Sequence, residues 1–470
     1  MKFKYINIKH FLLVGAVSLL SACDYGDLNT DPNKPSAVTL GSLLAGAEGE
    51  YSFVLGSDVS RFNSMFTQHM SGSGRQHSNI GNYRFFEADA DRFWNGGMYS
   101  KSLKDLNTII TQGQEESSPH FVGIAQILMA NGLGLLADMY NDIPYSEAFK
   151  GVENLSPNYD SQEAIYSSIQ KLLDDAIVNL AKTDGENTFL PGSSDFIHGG
   201  DSELWTKTAY SLKARYFNHK SKKDPAGSAT EALAALSKGA ISSISENCVF
   251  TFGSAYSNAN PWYLWNEERG DTRMGKPFID LMNNLSDPRL SFYSDTNDRG
   301  NYVGLPAGID DVSDTSKGPA SNMGAYYGSS TSPIVIMSYA ETKFIEAEAN
   351  LRAGNPLDAA TAFNAAVIAS LNEVAGTADA AYVTANASET AATITLEKIM
   401  TQKYIALYTQ PETFTDVRRT NIPALSEPLG NEYPGKGLIQ RWPYPNSERI
   451  LNPNATTVSD PLFTKVWWNK

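Results

Sequence analysis

The segment Asn260-Pro-Trp-Tyr-Leu-Trp-Asn266 places three large aromatic residues within four positions, beside a proline and two asparagines. Such rings bring large, rigid apolar area at low entropic cost. A sugar presents C–H faces that stack on rings, and hydroxyls that pair with Asn, Arg and Asp. Trp262, Tyr263 and Trp265 are therefore candidate ligand-binding residues. The competing reading is packing: Trp262 and Trp265, three positions apart, plug the segment onto the body while Tyr263 faces the other way. Arg75, Tyr83 and Trp94 lie in an earlier Gly- and Ser-rich stretch and are the candidates for the opposite wall. Trp94 has its own packing alternative, a helical face shared with Met98, Leu103 and Leu106. Tyr326-Tyr327 is a weaker third candidate, and Trp442 and Trp467-Trp468 read as staples that hold the C-terminal segment to the body.

Covalent chemistry finds little support. Glu267-Glu268 stands beside the aromatics, but neighbouring helical residues do not face each other. Glycosidases need two carboxyls across a substrate, ~5–9 Å apart. The run Gly270-Asp-Thr-Arg-Met-Gly-Lys-Pro277 resembles a phosphate loop until Pro277 replaces the hydroxyl that would hold magnesium. His69 and His77 are too far apart for one helical turn, and no His-Glu-x-x-His occurs. Asp295-Thr-Asn-Asp-Arg-Gly300 looks like a calcium loop, but Arg299 occupies a ligand position and Pro306 stands where the bidentate Glu belongs. No catalytic residue, metal or cofactor is expected. A structural calcium near Asp295, with Asp310, Asp311 and Asp314 close in sequence, is the weaker alternative.

The beginning of the chain sets the compartment. Lys2, Lys4 and Lys9 precede an apolar run over 11–20, and Leu20-Ser21-Ala22-Cys23 follows. This is a signal peptide over 1–22 ending in a lipobox, with Cys23 as the predicted lipidation site. Two or three acyl chains, at roughly 0.8 kcal/mol per buried methylene, anchor stably. Residues 23–36, Cys-Asp-Tyr-Gly-Asp-Leu-Asn-Thr-Asp-Pro-Asn-Lys-Pro-Ser, read as a lipidated tether, and 37–470 as a single domain. Cys248 is the only other cysteine, so no intramolecular disulfide is available once Cys23 is lipidated, and the fold must rest on its core. The formal charge of −15 argues against nucleic acid, whose phosphates need clustered Lys and Arg.

The fold class expected is mostly α. Helices are predicted over 40–55, 121–140, 161–181, 201–219, 230–242, 338–353, 356–374 and 395–408 from apolar spacing of three and four. The pair joined at Gly354-Asn355 resembles a degenerate tetratricopeptide unit, with Ala347, Ala359, Ala360 and Ala366 allowing close approach and Phe363 filling the gap. Stretches 70–97, 249–275 and 294–333 are rich in Gly, Ser, Asn and aromatics and read as ordered loops inserted into a tetratricopeptide-like helical scaffold. Those loops are the expected ligand-binding region.

Several motifs fall in a specific order: Ala137-Asp-Met-Tyr-Asn-Asp-Ile-Pro-Tyr-Ser-Glu-Ala148, Leu204-Trp-x-Lys-Thr-Ala-Tyr-Ser-Leu-Lys-Ala-Arg215, Asp287-Pro-Arg289, Tyr339-Ala-Glu-Thr-Lys-Phe-Ile-Glu-Ala-Glu348 and Tyr444-Pro-x-x-Glu448. With the lipobox and tether they resemble the SusD/RagB nutrient-binding lipoproteins, although Asn141 stands where that family more often has Gly. The resemblance implies an outer-membrane lipoprotein, facing the cell exterior, that lids a SusC-like TonB-dependent transporter. It implies a glycan ligand, an oligosaccharide above all, or in some members a peptide. A secreted glycan hydrolase and a non-binding structural surface lipoprotein are the alternatives.

Overall fold

The structure, a computed structural model, describes residues 38–309 and 318–470. The leader, Cys23 and the tether lie outside the described residues, as do Asp310, Asp311 and Asp314. Helix dominates what is described, and two short antiparallel ribbons are the named strands.

The scaffold grows from the helix Pro119–Tyr140, apolar on all sides and almost wholly buried. That pattern suits a helix surrounded by protein. It is long and apolar enough to cross a membrane, but 94% of its apolar window is covered by the rest of the fold. Gly134 permits one close approach: a Cβ there would stand 2.3 Å from the Tyr216 ring of the Ser202–His219 helix. Gln162–Leu180 packs alongside through Ile165, Ile169, Leu172, Leu173, Ala176 and Leu180, all buried, as the sequence spacing requires. Its first turn is capped by Ser161, whose Oγ accepts from the Ala164 amide at 3.2 Å. Asp201 and Thr395 cap their helices in the same way.

The pair Tyr339–Arg352 and Pro356–Ala375 closes around the expected small residues. Ala347, Ala359, Ala360 and Ala366 are buried, and Phe344 meets Phe363 edge-on at 6.3 Å. Gly354 turns the chain between them at φ 81°. One helix starts earlier than its periodicity suggests. Pro225–Leu236 replaces the predicted 230–242, because Asp224 caps the Gly227 amide and Pro225 fits the first turn.

Ionic side chains knit the helices together inside. Arg215 forms a bidentate pair with Glu341, Nε to Oε1 at 2.7 Å and Nη2 to Oε2 at 2.6 Å, and both are buried. Arg419 pairs with Glu348 and Asp416, and Lys403 with Asp416 at 2.7 Å. His219 lies between Glu412 at 2.8 Å and Asp138 at 3.3 Å. Burial disfavours charge on His219, but those two carboxylates outweigh it and raise the imidazole to about 9. A different solution holds Glu48, which burial and the neighbouring Asp195 push up to about 10. Asp195 accepts four N–H groups, from Ile197, His198, Gly200 and the Trp205 indole. Glu48 accepts only the Phe196 amide and keeps its proton.

Two of the three stretches read as loops, 70–97 and 249–275, are tied to each other. The ribbon Met70–Gly72 pairs with Thr272–Met274, and the Ser73 amide extends the pairing to the Asp271 carbonyl at 2.9 Å. Both stretches hold more regular structure than predicted. The first contains the helices Arg75–Gly81 and Glu87–Asp91, followed by a π-helix, Arg92–Ser102. The second contains the helix Pro261–Glu268. Their α-helices are too short to show a 3.6-residue period, and a capping side chain, Asn260, opens Pro261–Glu268.

Candidate functional site

The Pro261–Glu268 helix begins where Asn260 accepts the Trp262 amide at 2.7 Å and Pro261 occupies the first turn. The Asn260 amide group in turn donates to the Ser332 carbonyl at 2.9 Å, which fixes the helix to the body. Trp262 then points inward. It is 1% exposed, and its indole N–H donates to Ser60 Oγ at 2.8 Å. Trp262 is therefore a plug and not a ligand contact, which corrects its assignment as a binding residue and bears out the packing alternative for this ring.

Trp265 takes an intermediate place. It is half-buried, its N–H donates to Asp271 Oδ1 at 2.7 Å, and the His77 ring meets it edge-on at 4.8 Å. The Arg61 guanidinium lies 4.4 Å from its centroid and Arg269 lies 5.6 Å away. Tyr263, also half-buried, leaves the same helix. Tyr256, exposed in the turn before, donates its hydroxyl to Glu268. Arg75, exposed and at φ 51°, reaches across from the first stretch and donates to the Arg269 carbonyl at 3.1 Å. The ribbon between the two stretches makes that meeting possible.

Charge beneath this face is held by burial and pairing. Burial lowers the pKa of Arg61, countered by Asp58, whose Oδ1 lies 2.5 Å from Nη2. Burial pushes Asp271 up, but His77 and the Trp265 N–H outweigh it and hold the carboxyl below its usual value. Burial drives His77 toward the neutral form. On the other oxygen of Asp58, exposed Arg92 stands at 3.9 Å, beside a small groove of about 110 Å³ lined by Phe53, Ser57 and Gly97.

Tyr83 and Trp94 do not join this face. Tyr83 is 1% exposed and packs edge-on against Phe66 and Phe463. Trp94 is 3% exposed, packed among Tyr99, Tyr140 and Tyr444. Its helical neighbours Met98, Leu103 and Leu106 are buried with it. Both are corrected as opposite-wall residues: large rings that start a helix or end a turn satisfy more contacts inward than in water. Tyr326 and Tyr327 pack on Tyr293. The indoles of Trp442 and Trp468 donate to Asn63 and Asp138 in the core. Of the six residues assigned to the ligand, Arg75 and Trp265 are linked through Arg269, Tyr263 is half-buried on the same helix as Trp265, and Trp262, Tyr83 and Trp94 are buried.

Sequence reading missed Tyr256, Arg61 and Arg269. Tyr256 is an aromatic among Ser, Ala and Asn, the same composition that flagged 260–266. Arg61 sits in Asp58–Phe66 and gives no signal in one dimension. The face can bind: it offers a ring surface, guanidinium donors and carboxylate acceptors. Glu267 and Glu268 are exposed consecutive residues on one helix, with Glu268 held by Tyr256. Among the described residues no group of three or more His, Cys, Asp or Glu is placed to hold a metal.

The comparisons with known proteins agree with this architecture. Residues 32–445 match the SusD-like family described as starch-binding and associating with the outer membrane. A SusD/RagB family protein from Bacteroides thetaiotaomicron is similar at 26% identity and TM-score 0.76, over 92% of this chain and 99% of that one. A SusD homologue from Bacteroides uniformis is similar at 25% identity and TM-score 0.77, with the same coverage of both chains. A chitin-binding protein shares the fold at 24% identity and TM-score 0.78, over 92% of this chain and 100% of its own. Among curated proteins none matches by sequence. A match running from residue 32 to 445, on a helical body with this order of motifs, makes the chain a member of the SusD-like family.

Proposed function

We propose that this protein is a surface lipoprotein that binds a glycan, an oligosaccharide above all, and delivers it to a SusC-like TonB-dependent outer-membrane transporter. The observation that carries the reading is the half-buried Trp265 ring set between the Arg61 and Arg269 guanidiniums, with exposed Arg75 bonded to the Arg269 carbonyl beside it and Tyr263 half-buried on the same helix. A ring surface edged by guanidinium and carboxylate groups matches a ligand with apolar C–H faces and many hydroxyls. Membership of a family described as starch-binding, and likeness to a chitin-binding protein, support the ligand class. The lipobox supports attachment through Cys23, with the body outside the cell. The protein binds and hands over; it does not cleave.

Calorimetry with starch- and chitin-derived oligosaccharides tests the site. Binding should weaken several-fold in Tyr263→Ala and Trp265→Ala, and no product should form. Turnover lost in Glu268→Gln would replace this reading with a hydrolase. Labelled palmitate should enter the wild type and not Cys23→Ser.

A further inference from the structure

A second concavity lies on the other side of the π-helix Arg92–Ser102. That helix gives Arg92 to the groove beside Asp58, and Trp94, Asn95, Tyr99 and Ser100 to a separate cleft of about 550 Å³. The remaining walls come from the segment 144–157 and from the helix Asn446–Leu451. A volume of this size suits one or two six-membered rings.

Three observations mark the cleft as built for a ligand. Its floor is aromatic: Tyr99 and Phe149 stack at 6.1 Å and 24°, and the Tyr99 hydroxyl is fixed on the Pro144 carbonyl at 2.7 Å. Phe149 holds this position at φ 64°, a left-handed conformation that a bulky side chain adopts only under constraint. At the rim, Leu155 and Leu451 line the cleft while 76% and 74% exposed, apolar area that nothing in the fold covers.

The charges at the mouth narrow the ligand class. Lys104 lines the cleft and Lys150 follows Phe149, both exposed. Among the described residues neither has a carboxylate within ion-pair distance. Of the nearby carboxylates, Glu448 lines the cleft on the wall of the Asn446–Leu451 helix and accepts from Asn452 at 2.7 Å, and Glu147 accepts from Asn158 and Asn154. An apolar ring bed with the unpaired Lys104 ammonium at its edge, on the wall away from Glu448, is the complement of a flat ring that carries an acid group at one end.

We propose that this cleft is a second binding site, for a six-membered ring bearing a carboxylate, supplied either by a uronic acid residue or by an aromatic acid. The site acts independently of the Trp265 face. The test titrates the purified protein with digalacturonate and with 4-hydroxycinnamate, against galactobiose and methyl 4-hydroxycinnamate as neutral counterparts. The acids should bind and the neutral molecules should not. Lys104→Gln should weaken the acids by about fivefold. Phe149→Gly, which removes the ring and relieves the left-handed backbone, should abolish binding without lowering the melting temperature. Tyr263→Ala should change nothing here, so failure at one site is distinguishable from failure at the other. Binding of digalacturonate alone assigns the source to sugars, and of 4-hydroxycinnamate alone to aromatic acids. No saturation by either acid up to about 10 mM, equal binding of the neutral molecules, or binding untouched by both substitutions overturns the proposal.

Discussion

Arg215, inside the scaffold, and Arg75, on the Trp265 face, carry the same guanidinium into different surroundings. Arg215 meets the Glu341 carboxylate, the Ile336 carbonyl and the Asn131 side chain. Arg75 makes one bond to a carbonyl and is otherwise in water. Trp262 and Trp265 repeat the contrast three positions apart on one helix: the first is buried and plugged in, the second half-covered between two arginines. Residue type does not separate holding the fold from meeting a ligand. The separation comes from how completely each group's partners are supplied from within.

The strongest way to break this division is to remove an interior partner. Arg215→Met should leave Glu341 buried and unpaired and cost about 3–5 kcal/mol in a urea titration. A loss below about 1 kcal/mol would mean that the interior tolerates open valences as the surface does.

Glu48 tests the same rule without a cation. Its carboxyl sits at about 10 folded, against ~4.3 unfolded. The folded state keeps a proton that the unfolded state has released, so the contribution is complete below the unfolded value and is lost as pH rises toward the folded one. Between roughly pH 5 and 9, wild-type stability should fall against Glu48→Gln by about 1.4 kcal/mol per pH unit. The glutamine amide can donate to Asp195 and accept from Phe196 without titrating. Parallel pH curves for the two proteins would show that Glu48 is ionised after all.

Trp262→Phe sharpens the contrast along one helix. It keeps a ring but removes the donor to Ser60, and should cost about 1–2 kcal/mol of stability with glycan affinity unchanged by calorimetry. Reduced affinity at full stability would place a ligand against Trp262. Tyr263→Ala is the mirror experiment and the smallest effect: about 0.5–1.5 kcal/mol of binding, with the melting temperature held.

The scaffold was legible because its helices are long. Ile165 to Leu180 shows more than four turns of spacing, and the structure buries each predicted position. The motifs that carry the family resemblance were legible too, and the structure shows what they encode. Arg215 closes one motif and pairs with Glu341 in another. Glu348, at the end of that second motif, pairs with Arg419. Asp287 and Arg289 pair with each other in the core at 2.6 Å. These motifs specify the frame and its interior charges, and so they gave no guidance to the ligand. The face itself was half legible. Aromatic clustering located the Pro261–Glu268 helix, but only the fold decides which side of an eight-residue helix faces water. Arg61 reaches the site from a separate segment and leaves no pattern within one window, whereas Tyr256 lies four residues before Asn260 in the stretch already marked. Tyr83 and Trp94 misled because their neighbours are Gly, Ser and Asn, a composition that signals loops whether or not the ring turns inward.

The buried foot of the Pro261–Glu268 helix has an evolutionary consequence. Asn260, Pro261 and Trp262 fix its position through contacts that involve none of the outward side chains. Positions 263, 267 and 268 can then mutate without loosening the mount. Changes at these few codons alter the outward surface of the helix, and each trial starts from a protein that still folds.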